Sequence, residues 1–266
     1  MRTERVRFLN LVALVTLSAG SGLLLRGPTA WIGALAVAAT AAVAVLLYLS
    51  DLEPRGVPLE SLLTPAVAAF AGTGAVHLAG LGPWTLPALG AAAGLFAAAL
   101  TLETRLLGPA DAARQRHESQ LAPLILALAF AAFAVVAGLA GAEVPAPALG
   151  EAAADPAAAL PVIAFADGVL ALLLGYRVAA ARSATVLDAA WAAGTFAIVV
   201  GIAGALLRAV GLPRLVGPAV LAAIFYLWHA YRSASAGERR SRRWLWEYLA
   251  LGAVAALVVA WNLLIR

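Results

Sequence analysis

Residues 121–142 read LAPLILALAFAAFAVVAGLAGA, with no charged side chain and no Ser, Thr, Asn or Gln. At 1.5 Å per residue such a run, as a helix, crosses a hydrocarbon core about 30 Å thick. Working outward from it, eight more runs of similar length appear. The nine expected helices are approximately 8–25, 30–50, 61–80, 85–102, 121–142, 158–176, 185–207, 214–231 and 244–264. None alternates apolar and polar residues with the period of two that marks a barrel strand. Backbone polar groups in lipid must bond within their own segment, so these runs are read as helices. The expected fold is all-α: a polytopic membrane bundle of about nine transmembrane helices arranged as sequential antiparallel hairpins. Residues 1–266 form a single transmembrane domain with no soluble domain.

The composition agrees. Of the 266 residues, 64% are hydrophobic and 12% charged, which is far from the balance of a soluble domain. A disordered chain needs the opposite bias. With no cysteine, disulfides, thiolate metal sites, iron–sulfur clusters and cysteine nucleophiles are all excluded. The net charge of +4 comes from arginine alone, because the chain has no lysine. In a membrane protein such an excess reports topology, so no nucleic-acid partner is expected.

Arginine placement orients the bundle. With the amino terminus inside, only Arg26, Arg208, Arg214 and Arg266 of the 18 basic residues fall outside. Trp31, Trp84 and Trp261 then mark the outer interface, and Trp228, Trp244 and Trp246 the inner one. The expected location is a bacterial inner (plasma) membrane, multi-pass, with the amino terminus cytoplasmic and the carboxyl terminus extracytoplasmic. The basic start and apolar run of the first segment lack a clean cleavage site, so it reads as an uncleaved helix.

Gly27-Pro28 and Gly82-Pro83 close two outer turns 55 residues apart, the pattern of a duplicated hairpin. Two inverted halves linked by the fifth helix are the alternative symmetry. Gly90 and Gly94 form a GxxxG pair, and Gly201 with Ala205 a second small pair. Both are expected to face neighbouring helices.

Few polar residues fall inside the apolar runs. Asp167 stands near the centre of the sixth segment, in Phe165-Ala166-Asp167-Gly168. An acid at that depth faces a bundle interior or a water-filled cavity. It is the first candidate for a proton or substrate site, with His77 and Thr73 of the third segment beside it as candidates. Asp188, His229 and Glu247 lie near the inner surface and form a candidate vestibule leading to it. Arg239, Arg240, Arg242 and Arg243 form a basic cluster suited to anionic headgroups. No catalytic, cofactor-binding or metal site is expected. His77 and His229 lie at opposite depths and cannot share a haem. Phosphate-loop, zincin, nucleophile-elbow and dinucleotide motifs are missing.

The chain therefore reads as a non-enzymatic small permease or exporter with a midplane carboxylate. A structural or accessory subunit of a membrane complex ranks second, and a lipid-modifying enzyme third. The expected partners are membrane lipids, and other membrane subunits or a second copy of the chain.

Overall fold

The computed structural model describes residues 2–53, 56–107, 112–142, 160–183, 185–210 and 215–234, with Trp246 and Ala253. These residues form eight helices and no strand. The helices are α1 Arg2–Gly20, α2 Thr29–Leu52, α3 Leu63–Ala79, α4 Thr85–Leu106, α5 Ala112–Ala142, α6 Leu160–Ala180, α7 Val186–Ala209 and α8 Val216–Ser233. Short 3-10 turns at Ser21–Leu24 and Leu59–Leu62 follow α1 and lead into α3.

Seven helical spans, covering α1 to α7, are long and apolar enough to cross a membrane. This is the architecture of a helical membrane bundle, with seven of the nine expected spans found among the described residues. The eighth run forms α8, which is the shortest of the three carboxyl-terminal described helices and ends in His229, Tyr231 and Arg232, so it is not among the seven. The ninth run, 244–264, lies outside the described residues apart from Trp246 and Ala253. A second difference concerns α5. It begins at Ala112, nine residues before the expected run, and continues through Pro123, which has no backbone N–H to donate.

Sequence neighbours α2 and α3, α3 and α4, and α6 and α7 pack side by side. The bundle is not a simple row of hairpins, however, because α3 also packs on α1, α5 and α6, and α5 also packs on α8. The core sits along these inner helices: Phe96, Leu100, Leu128, Phe133, Leu174 and Phe196 are almost wholly enclosed. Burying a side chain of this size removes enough apolar surface to contribute about 1.5–3 kcal/mol in water. Within lipid that drive is absent, and close packing replaces it.

Glycines let α6 and α7 approach closely. A Cβ placed at Gly201 of α7 would lie 3.1 Å from the Ala164 carbonyl oxygen of α6, and one placed at Gly175 of α6 would lie 2.8 Å from the Phe196 ring of α7. The expectation for Gly90 and Gly94 is overturned. Both are exposed, and a Cβ at either would meet nothing within 4 Å. The packing face of α4 is carried instead by Ala92, Phe96, Ala99 and Glu103, which all lie on another side of that helix.

Candidate functional site

In α6, the run of aliphatic residues around Asp167 favours a helix, and the helix forms despite the acid. Residue 167 lies seven residues after the start of α6 and thirteen before its end. That is about 10 Å and about 20 Å along the axis, so the carboxylate sits off-centre, toward the end of the bundle that carries the α7–α8 turn.

Asp167 is 2% exposed. Its Oδ1 is buried with no hydrogen-bond partner among the described residues. The carboxylate packs against Gly204 of α7, where a Cβ would come within 2.8 Å of Oδ2. A glycine is required here because any side chain would occupy the space of the acid. Beside this contact lies a cavity of about 30 Å³, lined on α5 by Phe133 and Ala137, on α7 by Gly204, Leu207 and Arg208, and on α8 by Gly217, Pro218 and Leu221. That volume suits a water or the tip of a side chain, not an organic substrate. Below Asp167, toward the other end, Leu170, Ala171 and Leu174 continue α6 as a buried apolar layer.

His77 and Thr73 are not among the residues lining that cavity. Thr73 is fully buried and donates its hydroxyl to the Ala69 carbonyl of its own helix. His77 Nδ1 lies 3.0 Å from the Gly22 carbonyl oxygen. A Cβ at Gly22 would come within 2.6 Å of the Thr73 carbonyl oxygen, so the turn after α1 lies directly on α3. In this position His77 ties the end of one hairpin to the next.

The opposite end of the bundle holds a polar centre that sequence reasoning missed. Glu103 of α4 and Arg177 of α6 form a bidentate pair: Arg177 Nε donates to Oε1 at 2.9 Å and Nη2 to Oε2 at 2.7 Å. Glu103 is 1% exposed and Arg177 6%. Fork-to-fork geometry of this kind satisfies both oxygens at once. The pair lines a cavity of about 110 Å³ with Glu60, Ser61 and Glu118. An adjoining cavity of about 240 Å³ shares Glu118, Leu121 and Ala181 with it and adds Arg182 and His229. Both residues of the pair stand near helix ends, 74 positions apart. Their common depth is the one signal in the sequence that points to them.

Of the residues expected to form a vestibule, His229 lines the cavity of about 240 Å³ and not that of Asp167; it is buried, and its Nδ1 lies 3.4 Å from Ser233 Oγ. Asp188 is elsewhere. It is exposed in the first turn of α7, where its backbone N–H donates to Thr185 Oγ1 and its carboxylate accepts from the same hydroxyl at 2.7 Å. That is a helix N-cap. Glu247, Arg239, Arg240, Arg242 and Arg243 lie outside the described residues.

Two further features complete the map. A crevice of about 370 Å³ between α2, α3, α5 and α6 is lined by apolar and aromatic side chains, among them Trp31, Phe70 and Phe165. Arg7 and Asp51 pair at 2.9 Å across the exposed ends of α1 and α2. Among the described residues, no group of three or more His, Asp or Glu side chains is placed to hold a metal ion. No known protein family, curated protein or solved structure shows significant similarity to the chain.

Proposed function

We propose that this chain is a small permease or exporter that uses Asp167 as a proton-coupling carboxylate. The observation that carries the reading is the enclosed Oδ1, without a partner among the described residues, set beside a cavity of about 30 Å³. A packing acid would be bonded, because an unpaired buried polar group is costly. Intramembrane acids kept in that condition mark ion pathways. The small volume selects a proton over an organic ligand as the species that Asp167 handles.

The apolar layer of Leu170, Ala171 and Leu174 separates this cavity from the Glu103–Arg177 end. Access from one end at a time is what alternating access requires. With the orientation set by the arginines, the Asp167 cavity faces the outside and the ion-pair cavities face the cytoplasm. The site handles a proton and makes or breaks no covalent bond in a substrate, so the chain is proposed to be a transporter, not an enzyme. Its membrane would be a bacterial inner membrane.

The test uses the purified chain in lipid vesicles loaded with a pH-sensitive dye, with a pH gradient across the membrane. Wild type is expected to carry protons. Asp167→Asn should fold normally and carry none, because an amide keeps the shape of the acid but cannot titrate. Wild-type flux from Asp167→Asn would sink this reading and favour the accessory-subunit alternative.

A further inference from the structure

Among the described residues that line the Asp167 cavity, one other side chain is charged, Arg208 of α7. Arg208 is four residues beyond Gly204, one helical turn on, so both lie on the same face of α7. Gly204 is where the carboxylate of Asp167 rests. Helical side chains lean back toward the amino terminus of their helix, a lean that would carry the stem of Arg208 over Gly204 toward the acid. One turn is 5.4 Å, within the span of an arginine side chain. A glycine at 204 puts no side chain in the way. Arg208 is half-buried and has no hydrogen bond or ion pair among the described residues. The other described groups that face Asp167 across the cavity are uncharged: Phe133 and Ala137 on α5, Leu207 on α7, and Pro218 and Leu221 on α8.

We infer that Arg208 is the counter-ion of ionised Asp167. When Asp167 gives up its proton to water at the α7–α8 end, the guanidinium moves into the cavity and pairs with the carboxylate. When Asp167 is protonated, the guanidinium withdraws to the headgroup level, as long cationic side chains near helix ends do. No bond other than that to the proton is made or broken. Arg208 is thus a positioning residue that relays the protonation state of Asp167 to the surface. Its role in transport rests on the proposed coupling function, but the pairing itself is a separate property of the protein.

The experiment is an infrared titration of the full chain in lipid nanodiscs. The band of the buried protonated carboxyl is assigned by its loss in Asp167→Asn. In wild type the band is expected to disappear as pH rises. In Arg208→Gln it should persist to a pH at least one unit higher, a tenfold change, because an opposite charge within about 4–6 Å favours the ionised form by that much or more. Arg208→Lys should recover most of the shift, and an unchanged melting temperature in both variants excludes misfolding as the cause. Coincident titrations of wild type and Arg208→Gln would overturn the inference while leaving the proton role of Asp167 intact. Proton flux lost in Asp167→Asn with no Arg208 effect would overturn it equally. A shifted titration without any proton flux would uphold the pair and remove the transport function. A carboxyl that never ionises in wild type would overturn both.

Discussion

Two carboxylates are enclosed to nearly the same degree in this bundle, and their burial is accommodated in opposite ways. Glu103 is 1% exposed and both of its oxygens accept from one guanidinium. Asp167 is 2% exposed and one of its oxygens meets no donor. The first joins α4 to α6 at one end. The second stands on the same α6, ten residues before Arg177, facing glycine and a small cavity. Burial alone therefore does not separate a structural acid from one proposed to work; the donors around it do. A carboxylate gripped by a fitted guanidinium is fixed in place by it. A carboxyl whose buried oxygen meets no donor has no such clamp among the described residues.

The strongest way to break this contrast is at Glu103. Glu103→Ala or Arg177→Ala should each lower stability in detergent by about 3–5 kcal/mol, because either leaves one buried charge uncompensated. Glu103→Leu combined with Arg177→Met should recover most of the loss, since the two hydrophobic residues need no partner. A melting temperature equal to wild type in either single variant would show that the pair is not shielded from water.

The next effect lies at the α6–α7 contact. Gly204→Ala puts a methyl within 2.8 Å of Asp167 Oδ2. Overpacking of this kind costs about 1–3 kcal/mol. In an Asp167→Ala background the obstruction is gone and the cost should fall toward zero. A double-mutant cycle reads the difference, and full additivity would mean that the two residues do not touch.

Asp167 itself should be cheap to replace. Leu has the same branching and the same number of side-chain heavy atoms, and no hydrogen bond to Asp167 is there to be lost among the described residues. Asp167→Leu is expected to alter stability by no more than about 1 kcal/mol, in either direction. A loss as large as that of Glu103→Ala would show a hidden bond to Asp167 and turn it into a second structural acid.

The sequence carries these two sites unequally, for a physical reason. Asp167 interrupts a long aliphatic run, so it stands out by position, although counting places it near the centre and α6, which runs from Leu160 to Ala180, leaves it off-centre. Glu103 and Arg177 sit at the ends of their runs, where a charge is ordinarily solvated by headgroups. Only the tertiary placement of α4 against α6 encloses them, and no local pattern encodes a contact across 74 residues. The position of Arg208 in the chain gives its side of the membrane, which says nothing of the direction of its side chain. Apolar length predicts the membrane helices well from α1 to α7, because each span must satisfy its own backbone. Hydropathy does not say which face of a helix packs, and Asp188 shows a related gap: at the start of α7 its carboxylate is taken up by the Thr185 hydroxyl of the N-cap and does not line a vestibule.

The smallest expected effect tests that point about faces. Small residues four apart occur on both α4 and α7, and the pattern in sequence is the same. On α7, Gly201 lies against the Ala164 carbonyl oxygen, whereas Gly90 and Gly94 on α4 look into open space. Gly90→Leu with Gly94→Leu should therefore leave the melting temperature unchanged within about 0.5 kcal/mol, or raise it slightly. The rise would come from helix propensity, since glycine inside a helix is less favourable than leucine by several tenths of a kcal/mol. Gly201→Leu is the contrasting control. Its side chain would run into the α6 backbone, which cannot rotate away, so that variant should lose stability. Two leucines on α4 that destabilise the chain as strongly as one on α7 would place a further helix, or a second copy of the protein, against that exposed face.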